Sequence, residues 1–163
     1  MKRYNNLFII AVLCSLLVSC SSLKAPIVQK NGSITSYKYV YISPTAEITS
    51  SSGGVYGNQY GVYGGSSTKT LNPSDVISGF FIKQGYIRLP ELDNQFLDET
   101  LIVNYGESGR RNRGLGYTIE VTIQILSART RSVICTTTAE GQGSTEADDI
   151  RIAINRALEA LFK

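Results

Sequence analysis

The segment from Tyr117 to Ile125 constrains the fold more than any other part of the chain. Its odd positions are Tyr, Ile, Val, Ile and Ile, and its even positions are Thr, Glu, Thr and Gln. This alternation has the period of a β-strand, whose successive side chains point to opposite faces of a sheet. It predicts a strand with one face on a hydrophobic core and the other face in water.

Further strands are predicted at 37–42, 100–105 and 132–140, because these runs are rich in β-branched and aromatic residues. On the first of them, Tyr39 is expected in the core. The sequence leaves open whether Tyr37 and Tyr41 point inward or line an exposed face that a partner could contact.

Two helices complete the pattern. Asn72 followed by Pro73 is typical of a helix start and predicts a helix over 73–84. The last helix follows a cap at Ser144 or Thr145, and its apolar residues recur on one face: Ile150, Ile154, Ala157, Leu158 and Leu161. The order β-α-β-β-β-α predicts an α+β fold, a two-layer sandwich of about four strands in a mixed sheet with both helices on one face.

The N-terminus carries an apolar run from Leu7 to Val18, preceded by Lys2 and Arg3. The run is shorter than the roughly 20 residues that a membrane-spanning helix needs. Its length and its positive flank are typical of a secretory signal.

The run ends in Leu17-Val18-Ser19-Cys20, which closely resembles the lipobox of bacterial lipoproteins. The resemblance implies that residues 1–19 are a cleaved signal peptide and that Cys20 carries lipid, including palmitate. The absence of aspartate after the cysteine favours the outer membrane, with the domain facing the periplasm. The alternative is an ordinary signal peptide, or a short membrane anchor, in which Cys20 occurs by chance.

Composition excludes several classes of site. The sequence has no histidine, which removes histidine-based catalysis and histidine metal ligands. Loss of Lys2 and Arg3 with the signal lowers the formal net charge from +3 to +1, so nucleic acid is not an expected partner. Of three cysteines, only Cys135 then remains with a thiol, and it is expected to be buried.

The mature chain divides into a lipidated cysteine with a flexible tether at 20–35 and a single domain at 36–163. The domain contains a Gly/Tyr/Ser-rich insertion at 49–70. Asn58 and Gly61 could support a hairpin turn there, although the composition is equally typical of a mobile loop.

Candidate binding residues lie in two glycine-rich segments. Tyrosines on an adaptable Gly/Ser frame are typical of binding loops, which nominates Tyr56, Tyr60 and Tyr63. The alternative is an insertion without a partner.

The second segment, 106–116, is interpreted as a long turn carrying Arg110, Arg111 and Arg113, which could bind an anion through guanidinium and backbone N–H groups. The alternative is a solvated hairpin tip, whose charges contribute little.

The acidic residues give no catalytic or metal site. Glu107 and Glu120 are the pair considered for glycoside hydrolysis, but nothing in the sequence places them around a pocket. Glu146, Asp148 and Asp149 lack the ligand spacing of a calcium loop, and the helix dipole accounts for them. We therefore expect no enzyme activity, no metal and no cofactor.

In element order, residues 37–162 resemble small envelope modules: the N-terminal domain of TolB, the CsgG-like secretion lipoproteins, the LptE lipopolysaccharide-assembly lipoprotein and lipoproteins of unknown function. The resemblance and the lipobox together imply a non-catalytic binding or assembly module, held at the membrane through Cys20, whose partner is an envelope protein or polysaccharide. Two alternatives stay open, a subunit of an oligomeric secretion or surface structure and a hydrolase of envelope glycans.

Overall fold

The computed structural model describes residues 22–58, 61–113 and 116–163, which contain eight strands, two α-helices and one short 3-10 helix at Leu97–Glu99. In chain order the elements are β1 (Ile27–Lys30), β2 (Tyr39–Ile42), β3 (Ile48–Asn58), β4 (Gly61–Leu71), α1 (Pro73–Lys83), β5 (Ile87–Leu89), β6 (Thr100–Arg113), β7 (Gly116–Ser127), β8 (Val133–Gly141) and α2 (Glu146–Leu161).

Six of the described strands form one mixed sheet in the order β1-β8-β7-β6-β2-β5. The predicted antiparallel meander is present, because β7 pairs with both β6 and β8. β2 pairs parallel with both β6 and β5. A parallel arrangement is expected here, because a helix lies in the connection between β2 and these strands. The mixed α and β content is as predicted, but the estimate of about four strands is too low, because β1 and β5 add one strand at each edge.

β1 corrects the interpretation of residues 20–35 as a flexible tether, as far as the described residues extend. Ile27 to Lys30 pair antiparallel with Thr138 to Cys135 of β8. The hydrophobic pattern does not reveal this strand, because most of its side chains are exposed and Ile27 retains 62% of its accessible surface. Its backbone hydrogen bonds to the edge of β8 place it in the sheet.

The buried core combines side chains of the sheet with side chains of both helices. The odd positions of β7 from Ile119 to Ile125 are fully buried, whereas Thr122 and Gln124 on the other face are partly exposed, so the predicted alternation is confirmed over Ile119 to Ile125. At the start of the strand it is not followed, because Thr118 is fully buried. The helices complete a single buried cluster with Ile77 and Phe81 of α1 and with Ile150, Ile154, Ala157, Leu158 and Leu161 of α2.

The tyrosines near β2 divide between two environments. Val40 and Ile42 are buried in the core, so Tyr39 and Tyr41 lie on the opposite face of the sheet. There the ring of Tyr39 packs on that of Phe96, with centroids 4.7 Å apart. The expectation that Tyr39 lies in the core is therefore wrong, because the β-branched residues of this strand occupy the inner face. Tyr37 precedes the strand and packs against the core.

Both glycine-rich segments are largely strand. The insertion at 49–70 forms β3 and β4, an antiparallel hairpin whose pairing runs from Ile48–Leu71 to Asn58–Gly61. The long turn predicted at 106–116 is wrong, because β6 continues to Arg113 and pairs with β7 as far as Gly116, with a bulge after Glu107. Backbone pairing along a long partner strand compensates for the low strand propensity of these glycines.

The helix starts are as predicted. The Asn72 side chain accepts a hydrogen bond from the Ser74 backbone N–H at 3.1 Å, and Thr145 Oγ1 accepts one from the Asp148 backbone N–H at 3.2 Å. Each bond satisfies an amide that the helix itself leaves unpaired.

Candidate functional site

The hairpin of β3 and β4 joins the rest of the domain at its base. The Ala147 backbone N–H donates to Ser50 Oγ at 3.1 Å, and Lys69 Nζ donates to Asp148 Oδ2 at 2.6 Å. Both contacts fall in the first turn of α2. Together with the buried Leu71, they fix the root of the hairpin on the helix N-terminus.

Two of the three tyrosines nominated from the sequence lie in the strands of this hairpin. Tyr56 and Tyr63 are directly paired across β3 and β4, which brings two of the three candidates together. Tyr60 lies outside the described residues, as does Cys20. The hairpin forms a two-stranded sheet of its own, so within the described residues the outer edges of both strands have no strand partner.

Arg111 is bound to a carboxylate of its own chain. Its guanidinium donates to Glu140, from Nε to Oε1 at 2.8 Å and from Nη2 to Oε2 at 2.6 Å. The Glu140 side chain is only 3% exposed. The bidentate bond, supported by the Lys24 backbone N–H, lowers the pKa of Glu140 to about 2 against the cost of its burial.

The other two candidate arginines also have partners in the chain. Arg110 forms an ion pair with Glu146 at the start of α2 and a longer one of 3.5 Å with Glu107. Its guanidinium carbon lies 5.3 Å from the centre of the Tyr117 ring. Arg113 Nη1 donates to Gln142 Oε1 at 2.5 Å. An external anion at this segment would have to compete with these internal acceptors.

The acids at the start of α2 have structural partners as well. Lys69, Ser144 and Thr145 hydrogen-bond to Asp148 and lower the pKa of its carboxyl. Asp149 is buried, which raises its pKa, and it accepts a hydrogen bond from the Gly143 backbone N–H. In the described part of the chain, no group of three or more histidine, cysteine, aspartate or glutamate side chains could hold a metal ion.

The carboxylates considered for glycoside hydrolysis do not face each other. Glu107 pairs with Val121 in the sheet, and Glu120 precedes Val121, so the two acids lie on opposite faces. Glu120 accepts a hydrogen bond from Ser108 at 2.9 Å, and Glu107 accepts one from the Tyr105 hydroxyl at 3.4 Å. Glycosidases instead place two carboxyl groups on either side of one bond.

A set of contacts around Lys24 has no signal in the sequence. Its backbone N–H donates to Glu140 Oε2 at 3.0 Å, and its carbonyl oxygen accepts from Arg156 Nη2 at 2.9 Å. Arg156 also donates to the Glu140 carbonyl oxygen. These partners lie 116 and 132 positions away along the chain, so no local pattern could have indicated them.

Cys135 borders a cleft of about 600 Å³ between the turn after β1 and the end of α2. Lys30, Phe162 and Lys163 also line this cleft. The cysteine is 1% exposed, as expected from the sequence, and burial raises the pKa of its thiol to about 11. The thiolate, which is the reactive form, is therefore disfavoured.

Comparisons with known proteins give structural similarity at low identity. No protein-family model matches the chain, and no curated protein sequence matches it. Similar solved structures include a leucine-to-methionine variant of the PelC dodecamer from Paraburkholderia phytofirmans and the PelC dodecamer from the same organism in another crystal form. The first has a TM-score of 0.47 and 9% identity, and the alignment covers 84% of this chain and 96% of that chain. The second has a TM-score of 0.43, 11% identity and coverages of 84% and 97%.

These TM-scores are too low to transfer a function.

No helix in residues 22–58, 61–113 and 116–163 has the length and apolar character needed to cross a membrane.

Proposed function

We propose that this protein is a lipid-anchored protein of the bacterial outer membrane that faces the periplasm and acts as a non-catalytic binding or assembly module. The observation that carries the proposal is the sequence Leu17-Val18-Ser19-Cys20 after an apolar run, followed within a few residues by a folded domain that begins with β1. Lipid at Cys20 would confine the domain to the membrane surface and raise its effective concentration for an envelope partner.

The contact surface we propose is the hairpin of β3 and β4. Tyr56 and Tyr63 belong to its two strands, the sequence places Tyr60 between them on a Gly/Ser-rich frame typical of binding loops, and its root is fixed to α2. We further propose that the domain is a two-layer sandwich, with both helices on one side of the sheet. The expected partner is an envelope protein or polysaccharide. Arg110, Arg111 and Arg113 remain candidates for a secondary contact, limited by their internal hydrogen bonds.

The anchor is tested by replacing Cys20→Ser in the cells that make the protein. We expect wild-type protein to incorporate labelled palmitate and to fractionate with outer membranes, and the variant to lose both properties. Cys14→Ser is the matched control, because Cys14 lies in the predicted signal and should leave lipidation intact. Equal labelling of wild type and Cys20→Ser would contradict the proposal.

The binding surface is tested by crosslinking in intact envelopes followed by affinity purification. The triple variant Tyr56→Ser, Tyr60→Ser, Tyr63→Ser should lose partners that the wild type captures. Tyr41→Ser, on the outer face of the six-stranded sheet, is the control and should retain them. If the triple variant keeps every partner, the hairpin is not the contact surface.

A second candidate is a subunit of an oligomeric secretion or surface structure. The observation that favours it is the hairpin's separate two-stranded sheet, since strand edges without partners can pair between copies. Native mass spectrometry of the detergent-solubilised protein discriminates, because a monomer at micromolar concentration would exclude this candidate. Hydrolysis of envelope glycans is the least favoured alternative, because Glu107 and Glu120 lie on opposite faces of the sheet.

A further inference from the structure

Lys24 is held by the folded domain through both of its backbone polar groups. Glu140 accepts from its N–H at 3.0 Å, Arg156 donates to its carbonyl oxygen at 2.9 Å, and Lys24 Nζ lies 3.6 Å from Glu140 Oε1. We call this set of contacts the clamp. Its residues are Lys24, Glu140, Arg156 and Arg111, and Arg111 neutralises the charge of Glu140.

The clamp is continuous with the sheet. Three residues after Lys24, the chain enters β1 and pairs with β8, starting with Ile27 opposite Thr138. The main chain is therefore fixed to the domain from Lys24 onward. Because β1 runs antiparallel to β8, the chain before Ile27 approaches the end of the sheet where β8 terminates at Gly141.

This end of the domain, which we call the clamp end, gathers several features. It contains the last residues of β8, the first turn of α2, the root of the hairpin at Ser50 and Lys69, and the paired residues Asn112 and Tyr117 of β6 and β7. The opposite end contains the turn between β7 and β8. Ser127 follows Tyr117 by ten positions in β7, a distance of about 33 Å along the strand.

The chain between the proposed anchor and the clamp is short. Ser21, Ser22 and Leu23 separate Cys20 from Lys24, and this segment spans at most about 14 Å when fully extended. That reach is less than half the length of β7. When Cys20 is lipidated in the membrane, the two ends of the domain therefore cannot lie equally close to the membrane.

We propose that the clamp holds the domain with its clamp end against the lipid bilayer, so that the root of the hairpin lies at the membrane surface and the turn between β7 and β8 points away. This inference rests on the proposed lipidation of Cys20. The partner is the bilayer itself rather than a particular anionic lipid, because basic groups at this end already pair with Glu140, Glu146 and Asp148.

The orientation is measured with fluorescent probes on lipidated protein in liposomes. Asn112→Cys places a probe at the clamp end and Thr130→Cys places one at the opposite end. Both positions are exposed, and the buried Cys135 is not expected to react. A quencher on the lipid headgroups should quench the probe at position 112 at least threefold more strongly than the probe at position 130. Equal quenching at both positions would overturn the proposal.

Two further measurements test whether the clamp itself sets the orientation. Insertion of twelve Gly/Ser residues between Ser21 and Ser22 should remove the difference between the probes. Arg156→Ala, which releases the Lys24 carbonyl oxygen, should reduce the difference, whereas Arg151→Ala on the same helix should not. The difference should be the same in zwitterionic liposomes and in liposomes with anionic lipid. A difference that survives the insertion, or that requires anionic lipid, would contradict the role of the clamp.

Flotation with liposomes and intact mass distinguish failure of the proposed lipidation from failure of the proposed orientation. If Cys20 carries no lipid, the protein does not float with liposomes and its mass lacks the acyl chains, which refutes the proposed function. If the protein is lipidated and floats but shows no preferred end, only the orientation is refuted.

Discussion

The guanidinium of Arg111 and the carboxylate of Glu140 form two parallel hydrogen bonds, at 2.8 and 2.6 Å, that join β6 to β8 across β7. The Glu140 side chain is almost fully buried, so its charge requires a partner. An arginine that the sequence nominates for anion binding thus has its anion within the protein. The same carboxylate holds the backbone of Lys24, which links the glycine-rich part of β6 to the start of the folded chain.

Removing the Glu140 charge should destabilise the domain. In Glu140→Gln the two charge-assisted hydrogen bonds from Arg111 are lost, while the side chain at position 140 and its polar neighbours stay buried. We expect this change to lower the unfolding free energy by roughly 3 kcal/mol. Asp98→Asn is the control, because Asp98 forms a similar bidentate bond with Arg129 but is exposed. Urea denaturation followed by circular dichroism measures both. Equal midpoints for the two variants would contradict the structural role of Glu140.

Stability should fall at acidic pH for the same reason. The pKa of Glu140 in the folded protein, about 2, lies below its ordinary value of 4.5, so the unfolded chain takes up this proton first. The stabilisation is present above about pH 4.5 and is lost progressively as the pH falls towards 2. Urea midpoints measured at pH 7, 5 and 3 should therefore decrease, and less steeply in Glu140→Gln. A parallel decrease in the variant would assign the acid sensitivity to other groups.

Gly141 should tolerate no side chain. A Cβ at this position would lie 2.6 Å from the backbone nitrogen of Ala153 and closer still to the carbonyl oxygen of Asp149, because β8 meets the backbone of α2 here. We expect Gly141→Ala to destabilise by about 3 kcal/mol or more, or to prevent folding. Gly106→Ala is the matched control in β6, where a Cβ meets nothing within 4 Å, and its melting temperature should change little. Similar losses in both variants would refute the close contact.

Periodic segments were predictable from the sequence, and segments defined by tertiary pairing were not. Ile119 to Ile125 alternates between buried and partly exposed residues as expected, because a strand covered on one face needs apolar residues only there. β1 has no such pattern, since it is an exposed edge strand. Its position depends on the hydrogen-bonding groups of β8, which belong to a distant part of the sequence.

The candidate site likewise combines features that the sequence predicts with features that depend on tertiary pairing. The glycine-rich insertion was found by composition, but composition does not distinguish a loop from a hairpin, because pairing between β3 and β4 is decided by register over eleven residues on each side. The partners of Arg110 and Arg111 and the contacts of Lys24 depend on which strands become neighbours. Charge patterning therefore identifies the arginines and leaves their acceptors undetermined.

Cys135 should be unreactive in the folded protein. Its side chain is buried, and burial raises the pKa of the thiol to about 11, so the thiolate is scarce at pH 8. We expect negligible maleimide labelling of native protein within an hour and complete labelling in denaturant, read by intact mass. Thr130→Cys provides an exposed thiol as the control and should label within minutes. Rapid labelling of Cys135 in native wild type would show that the cleft beside it opens.

Lys69 should control the mobility of the hairpin without controlling the stability of the domain. Its ammonium donates to Asp148 at 2.6 Å, and it is partly exposed, so its removal should change the global unfolding free energy by less than about 1 kcal/mol. Because the contact fixes the root of β4 to α2, Lys69→Ala should instead speed amide hydrogen exchange in β3 and β4 severalfold, while exchange in β7 stays unchanged. Arg88→Ala, which breaks the exposed pair with Asp75, is the control and should leave the hairpin unaffected. Unchanged exchange in Lys69→Ala would show that Ser50 and Leu71 hold the hairpin without the ion pair.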